Sequence, residues 1–146
     1  MACDGHGRPL SLWLTGGNVN DVTELGAVMA GIRVPRIGPG RPRTRPDRLL
    51  GDKGYSSRGN RAMLAARGIR VTIPEKDDQA GHRRRRGSVG GSPYAFDPDI
   101  YRRRNVVERG FNRFKHWRGL ASRYDKTATC FLGALTLASL LLWAGS

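Results

Sequence analysis

The sequence predicts an α/β fold, a mixed sheet flanked by helices. Three observations predict it. Residues 48–73 read strand, helix, strand with a short return, the order that yields a parallel pair. Residues 9–15, PLSLWLT, alternate apolar and polar positions as a half-buried strand does. Residues 98–117 and 127–143 carry helical spacing or unbroken apolar composition.

The chain has 146 residues, about one domain with one core. That is too short for a large multidomain enzyme, so any multi-part machine is expected here only as a piece. Lys plus Arg number 26 against 12 Asp plus Glu, a net charge of +14. That balance calls for an anionic partner: nucleic acid first, an anionic membrane surface second. Periodic apolar segments count against wholesale disorder. Cys3 and Cys130 lie far apart without a C-x-x-C, and His6, His82 and His116 lack metal-ligand spacing. The N-terminus carries no signal peptide, so a cytoplasmic location is expected. Residues 130–145 are nearly all apolar but shorter than the roughly 20 residues a bilayer span needs. They read as a buried core helix, and no membrane partner is expected.

Each element has a local cause. DGHGRP is a Gly/Pro turn between two strands within 1–16. Leu10, Leu12 and Leu14 share one side of the second strand and Trp13 takes the other. Residues 18–32 read as a helix capped by Asn20 or Asp21, with Val22, Leu25, Val28, Met29 and Ile32 at helical spacing. Residues 33–48 form a Pro/Gly/Arg loop with six Arg against one Asp. A strand at 48–51 ends at Asp52, and a Gly turn follows. Ser56 or Ser57 caps a helix at 58–67, stopped by Gly68. Residues 69–73 alternate as a strand, ended by Pro74. Residues 75–97 read as a mobile basic insertion loop with the run Arg83, Arg84, Arg85, Arg86. The helix at 98–117 and the apolar helix at 127–143 are joined by a link whose basic residues are Arg118, Arg123 and Lys126.

Within the 98–117 helix, Tyr101, Arg104, Glu108 and Lys115 are spaced 3, 4 and 7 apart and line one stripe. Ile100, Val107, Phe111 and Phe114 make the neighbouring apolar face. An acid among arginines is commonly only a salt-bridged helix face. Asp52 adds weight to a functional reading, because a strand-end Asp before a Gly turn sits where α/β folds place ligands. A strand-end Asp and a helix Glu can hold a hard divalent cation. Dense arginine around two carboxylates suits phosphoryl transfer on a polyanion.

These residues resemble a known family. The chain is similar to bacterial insertion-sequence transposases of the DDE type, whose catalytic domain is RNase H-like, of the retroviral integrase superfamily. The family's Y-x2-R-x3-E-x6-K signature is met by Tyr101, Arg104, Glu108 and Lys115, and its D-K-G-Y by Asp52, Lys53, Gly54 and Tyr55. The resemblance covers essentially the whole chain. It implies cut-and-paste DNA transposition by metal-dependent phosphoryl transfer at element ends. Asp52 becomes the second catalytic acid and Glu108 the third, ligands in a site for two Mg²⁺ (or Mn²⁺) ions. Lys53, Tyr101, Arg104 and Lys115 become DNA-contacting or orienting residues, joined by Arg83 to Arg86 and Arg118.

The family's first acid stands on a first strand that has no counterpart here. Asp4 and Asp21 are poor substitutes. The resemblance therefore implies a C-terminal fragment lacking the first strand, a frameshift product, misannotated start or decayed remnant, and expected to be inactive alone. Its partners are double-stranded DNA (element ends and target) and the missing N-terminal part or full-length transposase, with a homodimer admissible and a nucleoid-associated location. The competing reading is a non-catalytic basic DNA-binding module. Gly40-Arg41-Pro42-Arg43 also resembles the core of a minor-groove AT-hook, a weak match read first as a plain loop. Phe114 and Trp117 read as core before base-stacking residues.

Overall fold

The computed structural model describes residues 1–122 and 127–145. Arg123 and Lys126 of the expected basic link lie outside the described residues. The chain divides into two compact units, Met1–Thr44 with Asn105–Ser146, and Arg45–Arg104.

In the first unit, β1 (Ala2–Cys3) and β2 (Pro9–Ser11) pair antiparallel. The turn between them is built by Asp4, whose carboxylate accepts from the His6 and Arg8 amides at 2.9 Å each and from Arg8 Nε at 2.7 Å. Gly7 takes φ +82°, a left-handed conformation that a side chain resists, and an added Cβ there would meet Val106 at 3.3 Å. Asp4 therefore serves the hairpin.

That role has a pH signature. Partial burial pushes the Asp4 carboxyl up, but hydrogen bonds from Arg8 and His6 outweigh it and leave the group below its ordinary value. A depressed folded-state value means the stabilisation is complete above the unfolded value, about 3.9. It is lost as pH falls through the folded value. Thermal melts are expected to show Tm falling below about pH 4, with a shallower acid limb in Asp4→Asn.

Helix α1 (Leu25–Ala30) is shorter than the expected 18–32. Asn20 competes with helix formation: its Oδ1 accepts the Val22 amide at 3.1 Å and its carbonyl accepts the Thr23 hydroxyl at 2.7 Å. Leu25, Met29 and Ile32 are buried as their spacing implies. A second cluster joins Phe114, Leu120, Leu135 and Ala138, with Met1, Leu12, Leu14, Trp117 and Phe131 against it. Trp13 points away and donates to Glu24 at 2.9 Å.

In the second unit, β3 (Arg48–Leu50) and β4 (Arg70–Thr72) pair in parallel, Leu49 opposite Val71. Helix α2 (Arg58–Ala66) connects them, capped by Ser57, whose Oγ accepts the Asn60 amide, and ended at Gly68 with φ +65°. The parallel strand–helix–strand expectation is met. The strands form two separate two-stranded sheets among the described residues, so the α/β class is observed and the single mixed sheet is not. Strands of two or three residues offer few ladder bonds with which to extend either pair.

Two expectations need correction. The loop expected over 75–97 contains helix α3 (Asp77–Arg85). It has no apolar stripe to reveal it. Instead Asp77 and Asp78 in its first turn and His82 to Arg85 in its last complement the helix dipole. The helix expected over 98–117 divides into α4 (Pro98–Arg102) and α5 (Asn105–Lys115), followed by the short α6 (Arg118–Ala121). Amides of Arg103 and Arg104 bond back three residues, to Ile100 and Tyr101, which tightens and ends α4.

Helix α7 (Ala128–Ala144) is capped by Thr127 and carries no charge. Thr136 and Ser139 return their hydroxyls to Leu132 and Leu135 carbonyls, and Trp143 Nε1 donates to Pro9 O at 2.8 Å. No helix among the described residues is long and apolar enough to cross a membrane.

Candidate functional site

Asp52 follows β3 at its C-terminal end. Gly51 before it lies close to buried Ile73, with room for a Cβ only 3.3 Å from the Ile73 side chain. The chain is thus pressed onto the end of β4 just before the acid. Asp52 then starts a tight 3-10 turn over Lys53–Tyr55, and its Oδ1 accepts the Gly54 amide at 2.7 Å. Asp52 and Lys53 are exposed. One carboxylate oxygen thus holds the turn, and the second is left for a cation or a substrate donor. No group of three or more His, Cys, Asp or Glu that could hold a metal ion occurs among the described residues. A carboxylate oxygen is the donor type that a hard cation takes.

The turn is held from beneath by a residue that sequence reasoning missed. Arg61 on α2 is 8% exposed. Its Nη2 donates to Ile73 O at 2.8 Å and its Nε to Ser56 O at 3.3 Å, so it joins the end of β4 to the end of the Asp52 turn. Its guanidinium lies 4.0 Å from the Tyr94 ring centroid. Burial pulls Arg61 below the usual arginine value, with Tyr94 and Glu75 opposing. The available signal was position: Arg61 stands three residues before inward Leu64, on the buried face of α2. Arg61→Met strips two carbonyls of a charged donor. It is expected to destabilise the second unit by about 2–3 kcal/mol, read from urea unfolding.

The run Arg83 to Arg86 divides by role. Arg83 grips Glu75 with Nε–Oε1 at 3.3 Å and Nη2–Oε2 at 2.9 Å. The Arg83 hydrogen bond holds the Glu75 carboxyl below its ordinary value. Arg84, Arg85 and Arg86 are exposed on α3 and after it. Gln79 of the same helix accepts from the buried Ser56 hydroxyl at 3.0 Å, which ties α3 to the Asp52 turn. Replacing Arg84, Arg85 or Arg86 with Ala is expected to reduce the salt slope of DNA binding by about 1 each. Arg83→Ala is expected to lower Tm and leave that slope unchanged. Fluorescence anisotropy at several salt concentrations checks both.

The expected four-residue stripe is interrupted. Tyr101 lies on α4, where Phe96 meets it at a ring-centroid distance of 5.2 Å, and Arg104 stands in the turn after it, 5.9 Å from the Tyr101 ring. Glu108 and Lys115 lie exposed on α5, and Arg118 is exposed at the start of α6. Asp52, Lys53, Arg83 to Arg86, Tyr101 and Arg104 thus belong to the second unit, and Glu108, Lys115 and Arg118 to the first.

Glu108 is carried by a well-supported helix. Val106 and buried Gly110 pack toward the hairpin turn, where a Cβ on Gly110 would meet Met1 at 3.3 Å and Gly7 O at 3.5 Å. Phe114 is buried, whereas Phe111, expected on the apolar face, is 46% exposed. The apolar contact is made one turn further along, through Phe114.

A family model described as "Transposase DDE domain" matches residues 1–143. The chain is 34% identical over 128 residues to the "Putative transposase for insertion sequence element IS402" of Burkholderia cepacia, covering 88% of this chain and 53% of that one. It is 27% identical over 140 residues to the "Putative transposase for insertion sequence element IS6501" of Brucella ovis, covering 96% of this chain and 92% of that one. The chain thus spans about half the length of the first relative. No solved structure matches it.

Proposed function

The chain belongs to the transposase DDE domain family, and from that premise we propose that it acts in cut-and-paste transposition, breaking and joining DNA strands at insertion-element ends. The fold we assign is RNase H-like. The observation that carries the reading is Asp52, exposed at the C-terminal end of a parallel strand and set in a preorganised turn. Asp52 and Glu108 would each serve as a carboxylate ligand for divalent metal, Mg²⁺ or Mn²⁺, with two ions expected in the complete active site. A metal bound there would supply polarisation of the scissile phosphate and activation of water or a 3′-hydroxyl. The chain's own residues hold the polyanion. Arg84, Arg85, Arg86, Lys115 and Arg118 neutralise phosphates, and Tyr101 and Arg104 position the strand, with Lys53 beside the acid.

The test is strand cleavage of element-end duplex by the purified chain with Mn²⁺, against EDTA and against Asp52→Ala and Glu108→Ala. Metal-dependent cleavage lost in both variants supports the roles of Asp52 and Glu108 and refutes the expectation that the chain is inactive alone. DNA binding that falls steeply with salt, without cleavage, favours the alternative of a basic binding module.

A further inference from the structure

Residues 33–46, RVPRIGPGRPRTRP, contain five arginines and no acid. The segment is closed into a narrow ribbon. Val34 and Arg43 exchange both backbone hydrogen bonds, Val34 N to Arg43 O at 2.9 Å and Arg43 N to Val34 O at 2.8 Å. The tip, Ile37-Gly38-Pro39-Gly40, is slim. Gly38 and Gly40 take φ +111° and +136°, conformations that glycine alone adopts readily, and a Cβ on Gly38 would meet nothing within 4 Å. Pro35, Pro39 and Pro42 reduce the freedom lost when the loop is held in one shape. Ile37 stands at this tip fully exposed, at 110% relative accessibility. Arg36 and Arg41 flank the tip and are also exposed.

We propose that the 34–43 ribbon is a minor-groove arm for A·T-rich double-stranded DNA, with Ile37 as an apolar wedge between base steps. Three features select that ligand. The minor groove is about 6 Å wide, so it admits a bare glycine tip and excludes a broad side-chain surface. Arginines are drawn into the narrow minor groove of A·T-rich sequence by its enhanced negative potential. An exposed β-branched aliphatic side chain between those arginines has no use in contacting phosphates. It gains burial when a base step is partly unstacked and the duplex bends toward the major groove. The Arg84 to Arg86 run stands at the end of helix α3, not on a closed ribbon with a glycine tip. The proposal rests on the reading of the chain as a DNA-acting protein.

The experiment uses the whole chain with end-labelled 30-bp duplexes, one A·T-rich and one G·C-rich. Affinity is read by anisotropy and bending by end-to-end energy transfer. The expected results are preference for the A·T-rich duplex, displacement by netropsin, and a bend. Ile37→Ala is expected to weaken A·T-rich binding about tenfold and remove the bend, with the salt slope and Tm unchanged. Arg36→Ala with Arg41→Ala is expected to reduce the salt slope by about 2. The proposal is overturned if Ile37→Ala binds and bends DNA like the parent, or if netropsin does not compete. It is also overturned if Ile37→Ala loses only binding to vesicles of anionic phospholipid. Failure of the parent chain to bind either duplex removes the transposition reading as well, whereas DNA binding indifferent to Ile37 removes this inference alone.

Discussion

Where the parent chain supports metal-dependent strand cleavage, alone or complemented by the N-terminal part, Asp52→Asn is expected to reduce it by about a thousand-fold or more while leaving Tm close to that of the parent. The carboxylate has one observed job, shaping the turn, and one proposed job, holding a metal ion, and this substitution separates them. Its Oδ1 accepts the Gly54 amide at 2.7 Å and so shapes the turn. An amide oxygen accepts the same bond, so the turn survives. The negative charge does not, and a hard cation loses its ligand. Charge stabilisation by a bound metal contributes several kcal/mol to the transition state, and each 1.36 kcal/mol is tenfold in rate. Asp52→Ala removes both jobs and is expected to lose stability too. Calorimetric titration with Mn²⁺ gives a second readout: Asp52→Asn should bind the ion more weakly. Equal cleavage and equal Mn²⁺ affinity in Asp52→Asn and parent would dismiss Asp52 as a ligand.

Phe114→Ala is expected to destabilise the first unit by about 3–5 kcal/mol. Phe114 is 5% exposed and sits against Leu120, Leu135 and Ala138. Truncation removes apolar burial and leaves a cavity that α5 and α7 cannot fully close. That loss is a large share of a domain's total of about 5–15 kcal/mol, so urea unfolding should show it as a clear shift in midpoint. The neighbouring Phe111, half exposed on the same helix, is the internal comparison. Phe111→Ala is expected to cost much less.

The parallel β3–α2–β4 unit, the Ser57 cap and the strand-end place of Asp52 were legible in the chain. These features depend on side chains acting within a few residues of themselves. Helix α3 was hidden because its stabilising signal is charge order along the axis, which leaves no apolar period. The interruption at Arg103 and Arg104 was hidden because Tyr101, Arg104, Glu108 and Lys115 keep helical spacing across it.

By itself, then, the sequence determined the β3–α2–β4 elements and the family, and it proposed Asp52 and Glu108 as the acids that carry the chemistry. Only the tertiary structure decided which of the many arginines are scaffold. Arg61 closes two carbonyls beneath the Asp52 turn, Arg83 grips Glu75, and Arg8 is bound by Asp4. It also decided which face of α7 is core, since a helix apolar on every side offers no stripe to choose: Leu135 and Ala138 went inward, Leu137 and Leu140 outward. The physical reason is common to both. A guanidinium or a leucine has the same intrinsic chemistry at every position, and its role is set by which distant carbonyl, carboxylate or apolar surface the fold brings within contact distance.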